Sequence, residues 1–170
     1  ASDVYKRQFI VSNMEYRIRE LKVSEIRLLR TFLYEAIYQP SNRDKLPVNI
    51  IDTPELYLYI KDWGKANDYC LVLEIANITV GAIWIRFLKN GYGYINDTIP
   101  ELCMSLLKDF RNQGLGSLLI KRMLDDIKSL GYRHISLSVS KDNYAAGWYR
   151  KLGFKVYKEQ KEDYILIVDL

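Results

Sequence analysis

Hydrophobic and polar positions along the chain change period several times, and these changes predict an order of helices and strands. A long helix is predicted over residues 114–130, because Leu115, Leu119 and Met123 recur at helical spacing and Gly131 stands at the end. Similar patterns predict helices over residues 24–38, 53–64 and 144–152, with Ser24 and Thr53 as caps. Strands are predicted near residues 16–18 and over residues 69–75, 78–88, 102–107, 135–139, 154–158 and 164–168.

The order of these elements is β-α-α-β-β-β-α-β-α-β-β, which predicts an α/β fold with a mixed sheet and helices on its faces. Neither a linker nor an internal repeat interrupts residues 14–170, so we expect one domain there. Residues 1–8 (ASDVYKRQ) show no period, and the run DVYKRQ matches the translation of a common sequencing adapter. We therefore expect residues 1–13 to be a non-native or disordered leader, with the native chain starting at Met14.

Composition and charge narrow the class of protein. The 170 residues are 49% hydrophobic and 27% charged, which is typical of a globular domain that needs no disulfide or metal to fold. The net charge of +4 is scattered, whereas a nucleic-acid-binding protein would show a basic stripe. No apolar stretch approaches the length of a membrane span, and no charged segment precedes an apolar run. We therefore expect neither a membrane span nor a signal peptide, and a cytoplasmic location.

The cysteines and the histidine argue against a metal site. Cys70, Cys103 and His134 lack the spacing of a Cys/His zinc site, so we expect no metal. A Ser-His-Asp triad would require His134 as its base. Its position at the start of a predicted strand favours a structural role instead.

The run from Arg111 to Gly116 (RNQGLG) joins a predicted strand directly to the long helix. The free N–H groups and the dipole of a helix N-terminus bind phosphate oxygens, and the two glycines allow close approach to the backbone. Arg111 can add a charged hydrogen bond. A second interpretation stays open here, in which Gly116 permits helix–sheet packing and Arg111 is a solvated charge. A dinucleotide fingerprint is disfavoured, because Leu119 replaces its third glycine.

Residues 111–116 match the R/Q-x-x-G-x-G/A signature of the GNAT family of N-acetyltransferases, and a second stretch also resembles that family. Residues 143–154 (NYAAGWYRKLGF) are similar to its loose signature N-x-x-A-x-x-Y-x-x-x-G-F. The predicted element order, from about Tyr16 to Leu170, resembles the family's fold, a mixed sheet whose central strands splay apart. The N-Y-A-x-x-W-Y variant resembles the family's bacterial members of unassigned substrate.

This resemblance implies that acetyl-CoA is the cosubstrate and lies where the family's central strands separate, here between residues 104–107 and 135–139. The pantetheine arm would pair with the backbone of Met104 and Leu106 like an added strand, and would contact Asn143. The pyrophosphate would lie beside Arg111 on the backbone N–H groups of Asn112, Gln113, Gly114, Leu115, Gly116 and Ser117.

The resemblance also implies roles in acyl transfer. Tyr149 occupies the position of the family's general acid, which protonates the departing thiolate, although it could instead pack the short helix against the sheet. A backbone N–H near Leu106 would stabilise the oxyanion. Glu101 lies near a catalytic glutamate of some members, and it is either a base acting through water or a solvated charge at the strand edge. Other members carry a further glutamate where this chain has Ser138.

The resemblance implies a primary amine as acceptor, carried by a small molecule or a peptide. Recognition in the family usually falls to the first two helices and the loops near the cofactor strand. There, tyrosines and carboxylates would suit a cationic amine, although a solvated surface explains them equally well: Tyr34, Glu35, Tyr38, Tyr92, Tyr94, Asp97 and Glu101. The 14 tyrosines could also mark a homodimer face. The alternative function is a non-catalytic acyl-CoA-binding module, against which the intact Tyr149 argues mildly.

Overall fold

The computed structural model describes residues 15–170, and the leader predicted over residues 1–13 lies outside the described residues. The described strands are β1 (Tyr16–Glu20), β2 (Tyr69–Ile75), β3 (Ile78–Arg86), β4 (Glu101–Leu106), β5 (His134–Ser140), β6 (Lys155–Glu159) and β7 (Asp163–Asp169). The α-helices are α1 (Leu28–Ala36), α2 (Pro54–Tyr57), α3 (Leu115–Ser129) and α4 (Ala145–Lys151). The strands form one mixed sheet in the order β1-β2-β3-β4-β5-β7-β6.

Alternate residues of the strands point to opposite faces of this sheet, and each face is covered by helices. On one face Leu71, Ile83 and Leu102 pack in a cluster with the apolar side of α3 and with α4. On the other face Val72 and Trp84 pack against α1 and the segment around α2. The predicted α/β fold with helices on both faces of a mixed sheet is therefore confirmed.

Two predicted helices differ from the structure. The first begins at Leu28 rather than at residue 24, and a separate 3-10 turn (Val23–Glu25) precedes it, so Ser24 does not cap a helix. The Glu25 carboxylate closes that turn by accepting a hydrogen bond from the Lys22 N–H at 2.9 Å.

The second helix, α2, spans Pro54–Tyr57 and continues only as turns. Two backbone carbonyls that would accept helical hydrogen bonds in a longer helix accept them from side chains of β3 instead. Arg86 donates to the Leu58 carbonyl at 2.9 Å, and the Trp84 indole donates to the Tyr59 carbonyl at 3.1 Å. These bonds fix the segment after α2 on the sheet.

The centre of the sheet opens between β4 and β5. These two strands are parallel, and their one register pair is Glu101 opposite Ser136, next to a hydrogen bond from the Ser136 N–H to the Pro100 carbonyl at 3.1 Å. Beyond that point β4 is paired with β3, and β5 is paired with β7. The two halves of the sheet therefore diverge, as the resemblance implied.

Candidate active site

Backbone groups of β4 face the gap. The Leu107 N–H, just beyond the strand, donates to the Val80 carbonyl on the β3 side at 2.8 Å. Because successive residues of a strand turn their backbone groups to alternate sides, the N–H groups of Met104 and Leu106 point away from β3. Since β5 has diverged there, these groups can pair with a strand-like ligand, the role that the resemblance implies for them.

The turn into α3 leaves a set of backbone N–H groups without helical acceptors. The Leu118 N–H reaches the Gly114 carbonyl at 3.4 Å, so the N–H groups of residues 115–117 have no acceptor within the helix. No side chain caps this end, and its first turn holds no acidic residue. Asn112 and Gly114 take left-handed conformations, with φ of 60° and 82°, a geometry that builds anion-binding concavities. The turn suits phosphate oxygens.

Arg111 connects this turn to α1. Its Nε donates to the Leu106 carbonyl at 3.0 Å, and its Nη2 donates to the Glu35 carboxylate at 2.8 Å and to the Glu35 carbonyl at 3.2 Å. Arg111 is therefore an ion-paired charge, and 35% of its side chain remains exposed. Its guanidinium stays next to the N-terminus of α3, with two of its nitrogen atoms already committed to protein oxygens.

A cavity of about 820 Å³ lies along this turn and in the gap. It is lined by most of the site residues predicted from the sequence, namely Glu101, Met104, Leu106, Arg111, Asn112, Gly114, Gly116, Ser117, Asn143 and Tyr149. Two predicted residues do not line it. The Gln113 side chain donates to the Asp109 carbonyl at 2.9 Å, and the Leu115 side chain is buried in the core.

The residues predicted for acceptor recognition divide into two groups. Glu35, Tyr38, Tyr92 and Glu101 line the cavity. The other three lie elsewhere and bond locally: the Tyr34 hydroxyl donates to the Leu46 carbonyl at 2.6 Å, and the Tyr94 hydroxyl donates to Asp97 at 2.8 Å. The cavity wall also includes residues to which the sequence assigned no role, among them Leu33, Leu56, Tyr59, Trp148 and Asp163.

Glu101, the first residue of β4, is buried rather than solvated. Its exposed fraction is 4%, which rules out the interpretation of a solvated strand-edge charge. Burial raises the pKa of Glu101 to about 7, against smaller lowering effects from a hydrogen bond with Tyr59 and from the Gly93 backbone. The loop closes tightly over it, because a Cβ at Gly91 would lie 2.2 Å from Glu101 Oε1. A carboxyl that titrates near neutral pH is suited to accept a proton there.

Tyr149 on α4 is also buried, and it has both a packing surface and access to the cavity. Its ring packs edge-on against Phe154 at a centroid distance of 5.4 Å, and it is tilted against the Trp148 ring at 5.0 Å. Burial raises the pKa of Tyr149, so the phenol is protonated at neutral pH. Among the described residues none forms a hydrogen bond with its hydroxyl, which leaves this group able to donate to a bound molecule.

Asn143 precedes α4 at the opposite wall of the gap. Its side-chain Oδ1 accepts a hydrogen bond from the Ala145 N–H at 2.9 Å and so fixes the start of the helix. Asn143 also lines the cavity, where the resemblance implies a contact with the ligand.

The remaining candidates for chemistry have structural surroundings. His134 pairs with Asp169 at 2.9 Å, at the start of β5. Cys103 lines the cavity, but burial raises the pKa of its thiol. Within residues 15–170, no group of three or more His, Cys, Asp or Glu side chains could hold a metal ion. No helix in the same range has the length and hydrophobicity required to cross a membrane.

Residues 33–154 match the model of a family described as the acetyltransferase (GNAT) family. A search of curated proteins gives no match.

Solved structures with the same fold include the PaiA N-acetyltransferase from Thermoplasma acidophilum in complex with coenzyme A. It is 19% identical, with 92% of this chain and 100% of that chain covered and a TM-score of 0.68. An acetyltransferase of the GNAT family from Streptococcus pneumoniae is 22% identical, with 92% and 100% covered and a TM-score of 0.63. A putative acetyltransferase from Acinetobacter baylyi is 13% identical, with 93% and 94% covered and a TM-score of 0.70.

Proposed function

The chain belongs to the GNAT acetyltransferase family, and on this basis we propose that it transfers an acetyl group from acetyl-CoA to a primary amine of a small molecule or peptide. The turn of residues 111–117 before α3 is called the phosphate-type turn below. The observation that carries the proposal is that this turn, the free backbone of β4 and the side chains of Glu101 and Tyr149 all border one cavity. A cavity of this kind can hold a long, anionic thioester and an amine side by side.

The residues around the gap fit acetyl-CoA, which when bound supplies a thioester carbonyl carbon that an amine can attack. The N–H groups of residues 115–117 would hold the diphosphate, with the charge of Arg111 next to them. The N–H groups of Met104 and Leu106 would pair with the pantetheine arm, and one of them would stabilise negative charge on the carbonyl oxygen. Asn143 would contact the same arm from the other wall.

Glu101 would accept a proton from the acceptor. An amine is mostly an ammonium ion at neutral pH, and its nitrogen can form a bond to carbon only after a proton has left. The pKa of about 7 makes Glu101 a stronger base than an exposed carboxylate while leaving much of it ionised at neutral pH. Proton transfer directly or through one water molecule meets this requirement.

Tyr149 would donate a proton to the sulfur as the carbon–sulfur bond breaks, and the phenolate would regain a proton from the nitrogen, which loses its second proton as the amide forms. Because burial raises its pKa, the phenol arrives at the reaction protonated, which suits an acid and not a base. Direct attack by the amine is favoured over an acyl-cysteine route, because the thiol of Cys103, which lines the cavity, is also held protonated by burial.

Replacing Tyr149 tests this function. We expect Tyr149→Phe to bind acetyl-CoA as the wild type does, because the aromatic ring and its packing remain, while kcat falls by roughly 10²–10⁴ through loss of the hydroxyl that donates the proton. The measurement is release of free thiol from acetyl-CoA in the presence of polyamines, amino acids, aminoglycosides or short peptides, together with calorimetry of acetyl-CoA binding.

Tyr157→Phe is the matched control, because Tyr157 is an exposed residue of β6, with 56% of its surface accessible, and should leave both readings unchanged. An unchanged kcat in Tyr149→Phe would remove Tyr149 from the mechanism. Tight binding of acetyl-CoA with no turnover on any class of amine would instead favour the acyl-CoA-binding module.

A further inference from the structure

The hydroxyl of Tyr59 lies between the loop over the cavity and the carboxyl of Glu101. It accepts a hydrogen bond from the Tyr92 N–H at 2.9 Å and donates its own hydrogen to Glu101 Oε2. Because the backbone N–H can only donate, the hydroxyl hydrogen is directed at the carboxyl. The Tyr92 N–H therefore fixes the direction in which the Tyr59 hydroxyl donates its hydrogen to Glu101.

The position of Tyr59 is fixed from several sides. Its carbonyl accepts a hydrogen bond from the Trp84 indole at 3.1 Å, and its ring stacks on Tyr92 with centroids 6.5 Å apart. Only 6% of the residue is exposed. A side chain held in this way loses little further freedom when it forms a hydrogen bond, so the bond to Glu101 keeps its strength.

Other groups around Glu101 offer its charged form little support. Arg86, its register partner on β3, is engaged with Asp68 at 2.9 Å and with the Leu58 carbonyl. Cys103, two residues along β4, carries a protonated thiol. On the β5 side the register partner is Ser136, a neutral residue. Among the described residues, Tyr59 and the Gly93 backbone are the groups that favour the carboxylate against its burial.

We propose that Tyr59 is a positioning residue that orients Glu101 and stabilises its carboxylate, so that a large share of the base of the acyl transfer is ionised at neutral pH despite its burial. This inference rests on the proposed function, in which Glu101 takes the proton of the acceptor ammonium. Tyr59 itself touches neither the acceptor nor acetyl-CoA in this role. The proton moves from the ammonium nitrogen to a Glu101 oxygen, and the phenol keeps its own hydrogen throughout.

The direct test is the titration of Glu101 in the acceptor-free protein. Protein labelled with ¹³C at the glutamate side-chain carboxyl carbon is titrated by NMR, and Glu101→Gln identifies the Glu101 signal. We expect Tyr59→Phe to move the Glu101 midpoint upward by about one pH unit or more, because the hydrogen bond that favours the carboxylate is lost.

Tyr69→Phe is the matched control. It also removes a tyrosine hydroxyl that donates to a carboxylate, Asp126 at 2.6 Å, but on the α3 face and away from the cavity. The Glu101 midpoint should stay in place in this variant. An unchanged or lowered midpoint in Tyr59→Phe would overturn the proposal. If that variant does not fold, 3-fluorotyrosine at residue 59, a more acidic donor, should lower the midpoint, and no change there would equally overturn it.

The pH profile of kcat/KM, measured with an amine that the wild type acetylates, distinguishes a failure of Glu101 as the base from a failure of Tyr59 as its positioning residue. Loss of the acid limb in Glu101→Gln, with an upward shift of the limb in Tyr59→Phe, supports both. An acid limb unchanged in Glu101→Gln would contradict Glu101 as the base, and the positioning role of Tyr59 would be overturned with it. Loss of the limb in Glu101→Gln without any shift in Tyr59→Phe would overturn the role of Tyr59 and leave the base in place.

Discussion

Glycines 114 and 116 stand two residues apart in the phosphate-type turn, and different physical reasons account for them. Gly114 has φ of 82°, a conformation that an L side chain rarely adopts, although a Cβ there would touch nothing within 4 Å. Gly116 has an ordinary helical backbone, and its Cβ would lie 3.6 Å from the Trp148 ring, a normal contact. Backbone conformation thus requires glycine at 114, whereas packing does not require it at 116.

This difference predicts a difference in stability. Gly114→Ala should lower the free energy of unfolding by about 1–2 kcal/mol, because alanine is strained in the left-handed region, and Tm should fall by a few degrees. Gly116→Ala is the control at the same turn and should leave Tm unchanged or slightly higher, because alanine favours the helix. Thermal unfolding followed by circular dichroism measures both, and equal Tm values would contradict the argument.

Two glutamates with different surroundings show how the environment of a carboxyl group sets its pKa. Glu101 and Glu25 are both glutamates, yet burial raises the pKa of Glu101 to about 7, whereas the Arg19 guanidinium lowers the pKa of Glu25 to about 2. The first group suits proton transfer near neutral pH, and the second is a permanently charged member of an ion-pair cluster.

At the scale of elements, the ion pair between Arg111 and Glu35 links the turn before α3 to the helix α1. Arg111 belongs to the turn that precedes α3, and Glu35 belongs to the last turn of α1. The pair lies along the cavity. If the diphosphate binds there as proposed, Arg111 affects its binding in two ways: it adds positive charge, and it holds the turn in place.

Opposite changes in affinity distinguish these effects. If the positive charge of Arg111 is its main contribution to binding, Glu35→Gln should tighten acetyl-CoA binding by roughly two- to five-fold, because a negative charge is removed. Arg111→Gln should then weaken binding by roughly ten-fold. Calorimetry of acetyl-CoA binding measures both constants.

The control for these two variants is Asp52→Asn, which removes another ion pair of α1, that of Arg30 with Asp52 at 2.9 Å, without touching the cavity. It should leave the affinity unchanged. Weaker binding in both Glu35→Gln and Arg111→Gln would contradict the charge argument and show that the pair acts by holding the turn.

At the scale of the whole molecule, the site is assembled where the two halves of the sheet separate. One half supplies β4 with Glu101, the other supplies β5 and the helix α4 with Tyr149, and α1 and the segment after α2 cover the cavity from the remaining side. Burying a charged Glu101 costs free energy, so the stability of the fold depends on pH through this residue.

This coupling predicts a pH dependence of stability. The folded protein holds the Glu101 proton up to about pH 7, whereas the unfolded chain releases it near pH 4.5. Between these values the folded state binds more protons, so the contribution of Glu101 to the free energy of unfolding falls as pH rises, by about 3 kcal/mol in total.

Urea unfolding of the wild type and of Glu101→Gln at pH 4.5 to 8 tests this contribution. The difference in free energy of unfolding between the two proteins should change in favour of the variant as pH rises, and other titrating groups, such as Glu25 with its opposite sign, cancel in the difference. A difference independent of pH would contradict the raised pKa.

Local sequence features determined much of this protein. The period of apolar residues predicted α3 and the order of strands. The strands predicted over residues 69–75 and 78–88 leave two residues between them, and Ala76 and Asn77 form that turn, with φ of 50° and 62°. The two signature stretches pointed to the family, and most of the site residues predicted from the sequence line the cavity. These features depend on residues close in sequence, whose spacing and backbone preferences act before any tertiary contact forms.

Tertiary structure alone decided the charge states and partners at the site. Glu101 stands at the start of a strand, where sequence permits either burial or exposure, and it became a buried group only because a loop and Tyr59, 42 residues away in sequence, close over it. The pairing of Arg111 with Glu35 spans 76 residues. No local pattern encodes such contacts, because desolvation and ion pairing depend on which distant surfaces the packing of helices on the sheet brings together.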